Sequence, residues 1–279
     1  MPELPEVETI KNQLNRLVAG KKISGLKVFL PKIIKGPKSQ LVKAVLGAKI
    51  TRLARRAKIL IFELNNGFSI LAHLKMTGQL IYQAAQPETL IKNKHTRAIF
   101  LFSDKTCLLF NDLRQFGYLR LLKSAALKDF FAKEKFGPEI LTKEFTLKKF
   151  RAILAKRPRI KIKQFLLDQR NLAGVGNIYA DEVLFFAGVR PERRVADLGH
   201  KASAKLFSGL KKILTQAIKL RGTSARDYLD ALGQTGNFAS KLKVYGQEGK
   251  NCVKCKIKSK ITRLKIGGRS AHFCPHCQK

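Results

Sequence analysis

Four cysteines crowd the last 28 residues, as Cys252-Val-Lys-Cys255 and Cys274-Pro-His-Cys277, with 18 residues between the pairs. Two such knuckles are the ligand set of a tetrahedral zinc ribbon, each thiolate pair clamping one side of the ion. Four sulfur ligands leave no open coordination position, so one structural Zn2+ per chain is expected, with His272 and His276 as bystanders. The arm between the knuckles is rich in Lys and Arg and should form a two-stranded hairpin with Gly267-Gly268 near one end. A basic hairpin on a metal staple has the charge and shape to probe DNA.

The other end is acidic. MPELPEVETI holds Glu3, Glu6 and Glu8, in a chain with 19 Asp and Glu against 56 Lys and Arg. Acids in a first helical turn suit the helix dipole, which is a sufficient reading for Glu8. Met1 precedes a small residue, so its removal would make Pro2 the terminus.

Three internal stretches also carry candidate chemistry. In LLDQRNLAGVGNIYADEVLFFAGVRP (166–191) two helices flank a Gly-Val-Gly-Asn turn. Asn177 opens the second helix, where free N–H groups and the dipole attract phosphate. An ordinary capped hairpin with Asn177 as N-cap fits the local pattern equally well. In NDLRQFG (111–117), Arg114 and Phe116 would point the same way on an extended chain and could wedge into a base stack. Taken alone, that stretch reads better as Phe116 in a core and Arg114 in solvent, and Met76 in HLKMTG, taken alone, likewise reads better as an ordinary structural residue. Lys58 ends a basic approach with Arg52, Arg55 and Arg56, read alone as phosphate contacts or solvated charge.

These residues need a frame. The formal charge is +37 and the pI about 10.4, which favours a polyanionic partner, nucleic acid ahead of an anionic membrane. No run approaches the apolar length of a membrane span, and the N-terminus lacks a basic signal-peptide start, so a cytoplasmic protein is expected. PEVETIKNQLNRLVAG predicts a helix ended by Gly20. Segments 58–64 and 68–74 around Asn66-Gly67, and 97–102 and 106–112, predict paired strands of a β-sandwich. Gly137-Pro138 marks a boundary, after which helices are expected at about 146–155, 161–169, 176–187, 200–220 and 223–232. The fold class is α+β multidomain: residues 1–136 a β-sandwich with a leading helix, 137–240 helical, 241–279 the zinc ribbon. Cys107 reads as a small buried core residue.

MPELPEVET, HLKMTG, NDLRQFG, NLAGVGNIYADEVLF and RSAHFCPHCQ stand in this order across nearly the whole chain. Together they resemble the bacterial formamidopyrimidine-DNA glycosylase family. The resemblance implies a catalytic β-sandwich domain, a helix–two-turn–helix domain and a zinc finger. It further implies a nucleoid-associated bacterial monomer that acts on double-stranded DNA containing oxidised purines. Excision of 8-oxoguanine opposite cytosine, or of formamidopyrimidines, would be followed by β,δ-elimination.

By matching positions, Pro2 is the implied nucleophile, Glu3 the general acid and Glu6 a helper that orients the amine. Lys58 assists β-elimination, and Arg269 assists δ-elimination and grips phosphate. His73, Asn177, Lys163, His95 and Arg159 match DNA contacts. Met76, Arg114 and Phe116 match the residues that fill the void left by a base turned out of the duplex, and RGTSARDYLDALGQTGNF (221–238) resembles a base-capping loop.

There are departures. Gln115 replaces a common Arg, Arg97 replaces a common His, and Lys256 follows Cys255 where Gly is frequent. The inter-knuckle arm is also longer than usual. Two other readings are an endonuclease VIII-like glycosylase for oxidised pyrimidines, which Leu4 and the 221–238 loop oppose, and a non-catalytic damaged-DNA-binding protein of the same fold.

Overall fold

PEVETIKNQLNRLV winds into α1, Leu4–Val18, because Val7, Ile10, Leu14 and Val18 line one face and are all fully buried. The computed structural model describes residues 1–84, 93–224, 227–255 and 259–279. Lys256 and part of the 221–238 loop therefore lie outside the described residues. The chain divides into two compact units, Met1–Glu134 with Leu220–Asn237, and Lys135–Lys219 with Phe238–Lys279.

In the first unit α1 is followed by β1 (Ile23–Val28), α2 (Lys38–Val45), β2 (Ile50–Arg56), β3 (Ile59–Leu64), β4 (Phe68–His73) and β5 (Gly78–Gln83). Then come β6 (Thr96–Phe102), β7 (Cys107–Asp112), β8 (Tyr118–Lys123) and α3 (Leu127–Lys133). The strands make two antiparallel sheets, ordered β1-β6-β7-β5 and β2-β3-β4-β8. Inward residues of both, among them Leu53, Phe62, Ile70, Leu80, Phe100 and Phe110, share one core with the stripe of α1. Both expected strand pairs are present, and Cys107 is buried.

Segment 220–237 joins this unit. Tyr228 and Ala231 enter the core, and Tyr82 N–H donates to Ala231 O at 2.9 Å. The helix expected over 223–232 is absent among the described residues there. Its backbone donors are taken by side chains instead. Thr223 N–H goes to Glu6, Ala231 N–H to Gln13, and Leu232 and Gln234 N–H to the buried Asp230 carboxylate. Side-chain acceptors of this kind compete directly with a helical ladder.

The second unit contains α4 (Leu147–Ala155), α5 (Ile162–Leu167), α6 (Asn177–Ala187), α7 (His200–Lys219), and the hairpin β9 (Thr262–Ile266) and β10 (Arg269–Phe273). The four helices fall within two residues of their expected bounds. Helix α6 packs against α5, α7 and β10. Ile178 through Phe185 are all buried, including Asp181 and Glu182.

Candidate active site and nucleic-acid interface

Glu3 and Glu6 form a capping box at the start of α1, Glu6 Oε2 accepting Glu3 N–H at 2.7 Å. Glu6 Oε1 accepts Thr223 N–H at 2.8 Å. The residue before Thr223 must be glycine: Gly222 has φ +81°, and a Cβ there would lie 2.8 Å from Glu6 Oε1. Glu3 and Glu6 are buried, as is Pro2. Burial holds the Met1 α-amine, one residue ahead of Pro2, below its ordinary pKa. Lys58 acts in the same direction, while Glu3, Glu6 and Asp227 oppose it. The terminus, three carboxylates and one lysine thus share one electrostatic environment. Asp227 lies in the 221–238 loop, and its part at the terminus emerges only from this placement. Glu8 pairs with Arg55 at 2.6 Å and with Lys11, which ties α1 to β2.

Lys58 is 6% exposed and leads into β3, whose Ile59 pairs with His73 at the end of β4. His73 Nδ1 accepts Lys75 N–H at 2.9 Å, so the ring proton sits on Nε2. Burial, followed by Lys75 and Lys58, pushes the His73 pKa down to about 3. At neutral pH the ring is a neutral N–H donor, suited to a phosphate oxygen without adding charge.

Met76, Arg114 and Phe116 converge. Arg114 Nη1 lies 3.0 Å from Met76 Sδ, and the guanidinium sits 4.9 Å from the centre of the Phe116 ring, which is 54% exposed. The expectation of an extended chain here is corrected: Gln115 is left-handed, with φ +59°, so the two side chains meet across a turn. Asp112 builds that turn, and sequence reasoning missed it. Its buried carboxylate accepts Gly117 N–H at 2.7 Å and Thr77 Oγ1–H at 2.5 Å, and Thr77 Oγ1 accepts Arg114 N–H at 2.9 Å.

Left-handed residues other than glycine repeat around these positions. Ala57, Lys75, Gln115 and Arg221 have φ of +53°, +49°, +59° and +62°, and each immediately precedes Lys58, Met76, Phe116 or Gly222. Such conformations cost roughly 1–3 kcal/mol each and persist where the surroundings fix them. Nearby, His95 is half-buried. Arg97, which replaces the common His, donates to Asp112 O at 2.9 Å and Lys94 O at 3.2 Å, and so braces the backbone.

In the second unit Asn177 is the first residue of α6, with Gly176 as N-cap, and its Oδ1 is buried without a hydrogen-bond partner among the described residues. The N-cap alternative for Asn177 is thereby set aside. Arg159 is exposed in the turn after α4. Arg269 is exposed on the first residue of β10, directly after Gly267-Gly268, whose φ values of +54° and +76° make the hairpin turn. Lys163, expected at the DNA, is corrected: its side chain is fully buried, ion-paired to Asp181 and 3.3 Å from Asn177 O. A group with no exposed surface makes no direct DNA contact.

The four cysteine sulfurs lie within 4.8 Å of one another, with Cys252 to Cys277 at 3.8 Å and Cys255 to Cys274 at 3.5 Å. Four Zn–S bonds of ~2.3 Å in a tetrahedron put sulfurs about 3.8 Å apart, so the cluster fits one zinc. Lys254 N–H and Cys277 N–H point at the Cys252 and Cys274 sulfurs, both at 3.4 Å, which supports thiolate charge. No histidine joins the cluster.

Three family models match the chain: the formamidopyrimidine-DNA glycosylase N-terminal domain over residues 1–119, its H2TH domain over 136–228, and the zinc finger found in FPG and IleRS over 249–279. Among curated relatives, the formamidopyrimidine-DNA glycosylase of Carboxydothermus hydrogenoformans is 44% identical, covering 100% of both chains. That of Pelotomaculum thermopropionicum is 41% identical, over 100% of this chain and 99% of the relative. Among solved structures, Lactococcus lactis Fpg in complex with DNA containing an abasic site matches with a TM-score of 0.92 and 38% identity over 99% of both chains. The same protein bound to DNA containing N7-benzyl-Fapy-dG matches with a TM-score of 0.92, over 100% of both chains. No helix among the described residues is long and apolar enough to cross a membrane. The buried acidic terminus, the arginine wedge, the turn before α6 and the four-cysteine knuckle thus all sit in one established family frame, and the chain belongs to the formamidopyrimidine-DNA glycosylase family, the DNA glycosylases of base excision repair.

Proposed function

We propose that this chain excises oxidised purines, 8-oxoguanine opposite cytosine and formamidopyrimidines, from double-stranded DNA as a monomer, and then cleaves the strand by β,δ-elimination. The observation that carries this reading is the Met1 α-amine, its pKa depressed by burial, beside Glu3, Glu6 and Lys58. That amine marks, one residue early, the position of the Pro2 nitrogen once Met1 is removed. A secondary α-amine with a lowered pKa has a larger neutral fraction near pH 7, and the neutral form can attack. Pro2 nitrogen bonds to C1′ of the damaged nucleotide as the C1′–base bond breaks, and the base leaves with a proton. Glu3 supplies and recovers protons on the sugar or base. Glu6 holds Glu3 N–H and so fixes the residue next to the nucleophile. Lys58 binds phosphate and assists β-elimination, and Arg269 assists δ-elimination.

His73 and Asn177 donate to backbone phosphates, with His95 and Arg159 as further contacts. Arg114 and Phe116, with Met76, fill the space of the extruded base, and Arg114 faces the orphaned cytosine. In this division of labour residues 1–136, with 220–237 packed on them, carry the chemistry, the helices within 137–219 grip DNA, and 241–279, held by Cys252, Cys255, Cys274 and Cys277, present Arg269. Bound zinc supplies only the fold of that last segment.

The test is base release from matched duplexes. Release of 8-oxoguanine paired with cytosine, faster than release of oxidised pyrimidines, is the expected result. Release of pyrimidine lesions alone would favour an endonuclease VIII-like specificity, and tight binding without release would leave a damage-binding protein.

A further inference from the structure

The two acids of α6 that the sequence reading passed over lie at the centre of the second unit. Asp181 is fully buried and uses both carboxylate oxygens. Oδ1 pairs with Lys163 of α5, and Oδ2 accepts His272 N–H at 3.1 Å and faces His272 Nδ1 at 3.0 Å. His272 stands on β10, three residues after Arg269. Its ring meets Tyr245 edge-on at 5.1 Å, and Tyr245 N–H is held by Glu182 at 2.9 Å. Lys163 also reaches Asn177 O, on the first residue of α6. The residue after Lys163 touches the other end of the hairpin: a Cβ on Gly267 would lie 2.6 Å from Gln164 Nε2. The hairpin is thus held at two points, Gly267 on one side of Arg269 and His272 on the other, and both holds run through α5 and α6.

We propose that Lys163, Asp181 and His272 are positioning residues that lock Arg269 to the start of α6, so that Arg269 and Asn177 meet the DNA backbone as one rigid pair. This deepens, and rests on, the reading of Arg269 as the residue that assists δ-elimination. The geometry accounts for a fully buried lysine in a chain with a large surplus of surface lysines. An ammonium there makes no phosphate contact, but it neutralises the carboxylate that ties helix to hairpin. A misplacement of about 1 Å at a catalytic group can cost ~10²-fold in rate, so a hairpin loosened at His272 should be visible in the chemistry.

The test compares wild type, Asp181→Asn, Arg269→Ala and the double variant on a duplex with an abasic site. The readouts are the ratio of δ- to β-elimination product, zinc content and thermal unfolding. Asp181→Asn keeps the side chain's size and loses the charge that Lys163 needs. The expected result is a fall of about tenfold or more in the δ-to-β ratio with zinc retained, and no further fall when Arg269→Ala is added. A merely structural pair would lower the melting temperature and leave the ratio alone. An unchanged ratio in folded, zinc-loaded Asp181→Asn, beside a lowered ratio in Arg269→Ala, overturns the inference and leaves Arg269 its role. An unchanged ratio in Arg269→Ala removes the reading of Arg269, and the inference falls with it. If Asp181→Asn does not fold, the paired variant Lys163→Met/Asp181→Leu, which fills the same volume without charge, carries the same comparison.

Discussion

Glu6 in the first unit and Glu182 in the second are both buried helix carboxylates that hold backbone from distant sequence. Glu6 takes the amides of Glu3 and Thr223, and Glu182 takes those of Lys243, Val244 and Tyr245. The settings differ. Around Glu6 the segment 220–237 is held by many protein contacts, with Gln13, Asp230 and Arg221 adding to the clamp and Tyr228 and Ala231 in the core. Beyond Glu182 the chain enters a segment whose apolar cluster is small: Phe185, Val244, Ile261 and two of the cysteines. The first region is organised by its own packing, the second by a metal. In the first region hydrogen bonds and packing fix the terminus without a metal; in the second an ion can replace a core.

Zinc removal should break that comparison most severely. Structural zinc contributes on the order of 10 kcal/mol to the folding of small metal-held domains, so chelation should unfold residues 249–279 and abolish tight DNA binding. Limited proteolysis should then cut between Cys252 and Cys277 while residues 1–134 stay protected. Equal protection of both regions would mean the zinc segment has a core of its own.

The next effect comes from the two carboxylates. Each backbone amide orphaned in the interior costs roughly 1–3 kcal/mol. Glu182→Ala leaves three without an acceptor and Glu6→Ala two, so denaturant unfolding should show the larger loss for Glu182→Ala. Glu6→Ala should nonetheless be the more damaging to base release, because it frees the residue beside Pro2. The reverse ranking in activity would make Glu6 only a structural clamp.

A smaller, pH-dependent effect belongs to His73. Its folded pKa of about 3 lies below the ordinary value of 6.5. The unfolded chain therefore takes up the proton first. The contribution is fully present above about pH 6.5 and is lost as pH falls toward 3, at no more than about 1.4 kcal/mol per pH unit. Thermal unfolding of wild type should steepen with acid in that window, and His73→Gln should flatten it. The smallest effect is Gln115→Gly, which relieves the left-handed strain and should change stability by under about 1 kcal/mol while loosening the Arg114–Phe116 stack. Calorimetry and single-turnover base release measure the two halves of that trade.

Much of this was legible in sequence because it depends on local pattern. The stripe of α1, the Asn66-Gly67 hairpin, the CxxC pairs and the Gly267-Gly268 turn each state their structure within a few residues. The failures are non-local. The helix expected over 223–232 was cancelled by Glu6, Gln13 and Asp230, the first two lying more than two hundred positions away in the chain. Lys163 reads as one more surface cation until Asp181, on the next helix, buries it. Asp112, Asp181 and Asp227 lie inside the family-like stretches, but nothing in those stretches marks their roles, since an acid acquires its role from the donors that the fold brings to it. The candidate site residues come from resemblance; the groups that position them, Glu6 apart, had to be read from the structure.

The central claim is that the terminal amine of Pro2 is the nucleophile, and borohydride reduction tests it directly. Protein shown by mass to lack Met1 is incubated with an 8-oxoguanine duplex and borohydride. A covalent protein–DNA adduct that vanishes in Pro2→Gly, while Pro2→Gly still binds an abasic-site duplex, is the predicted result. An adduct that survives Pro2→Gly and maps to Lys58, or no adduct at all from active wild-type protein, would contradict it.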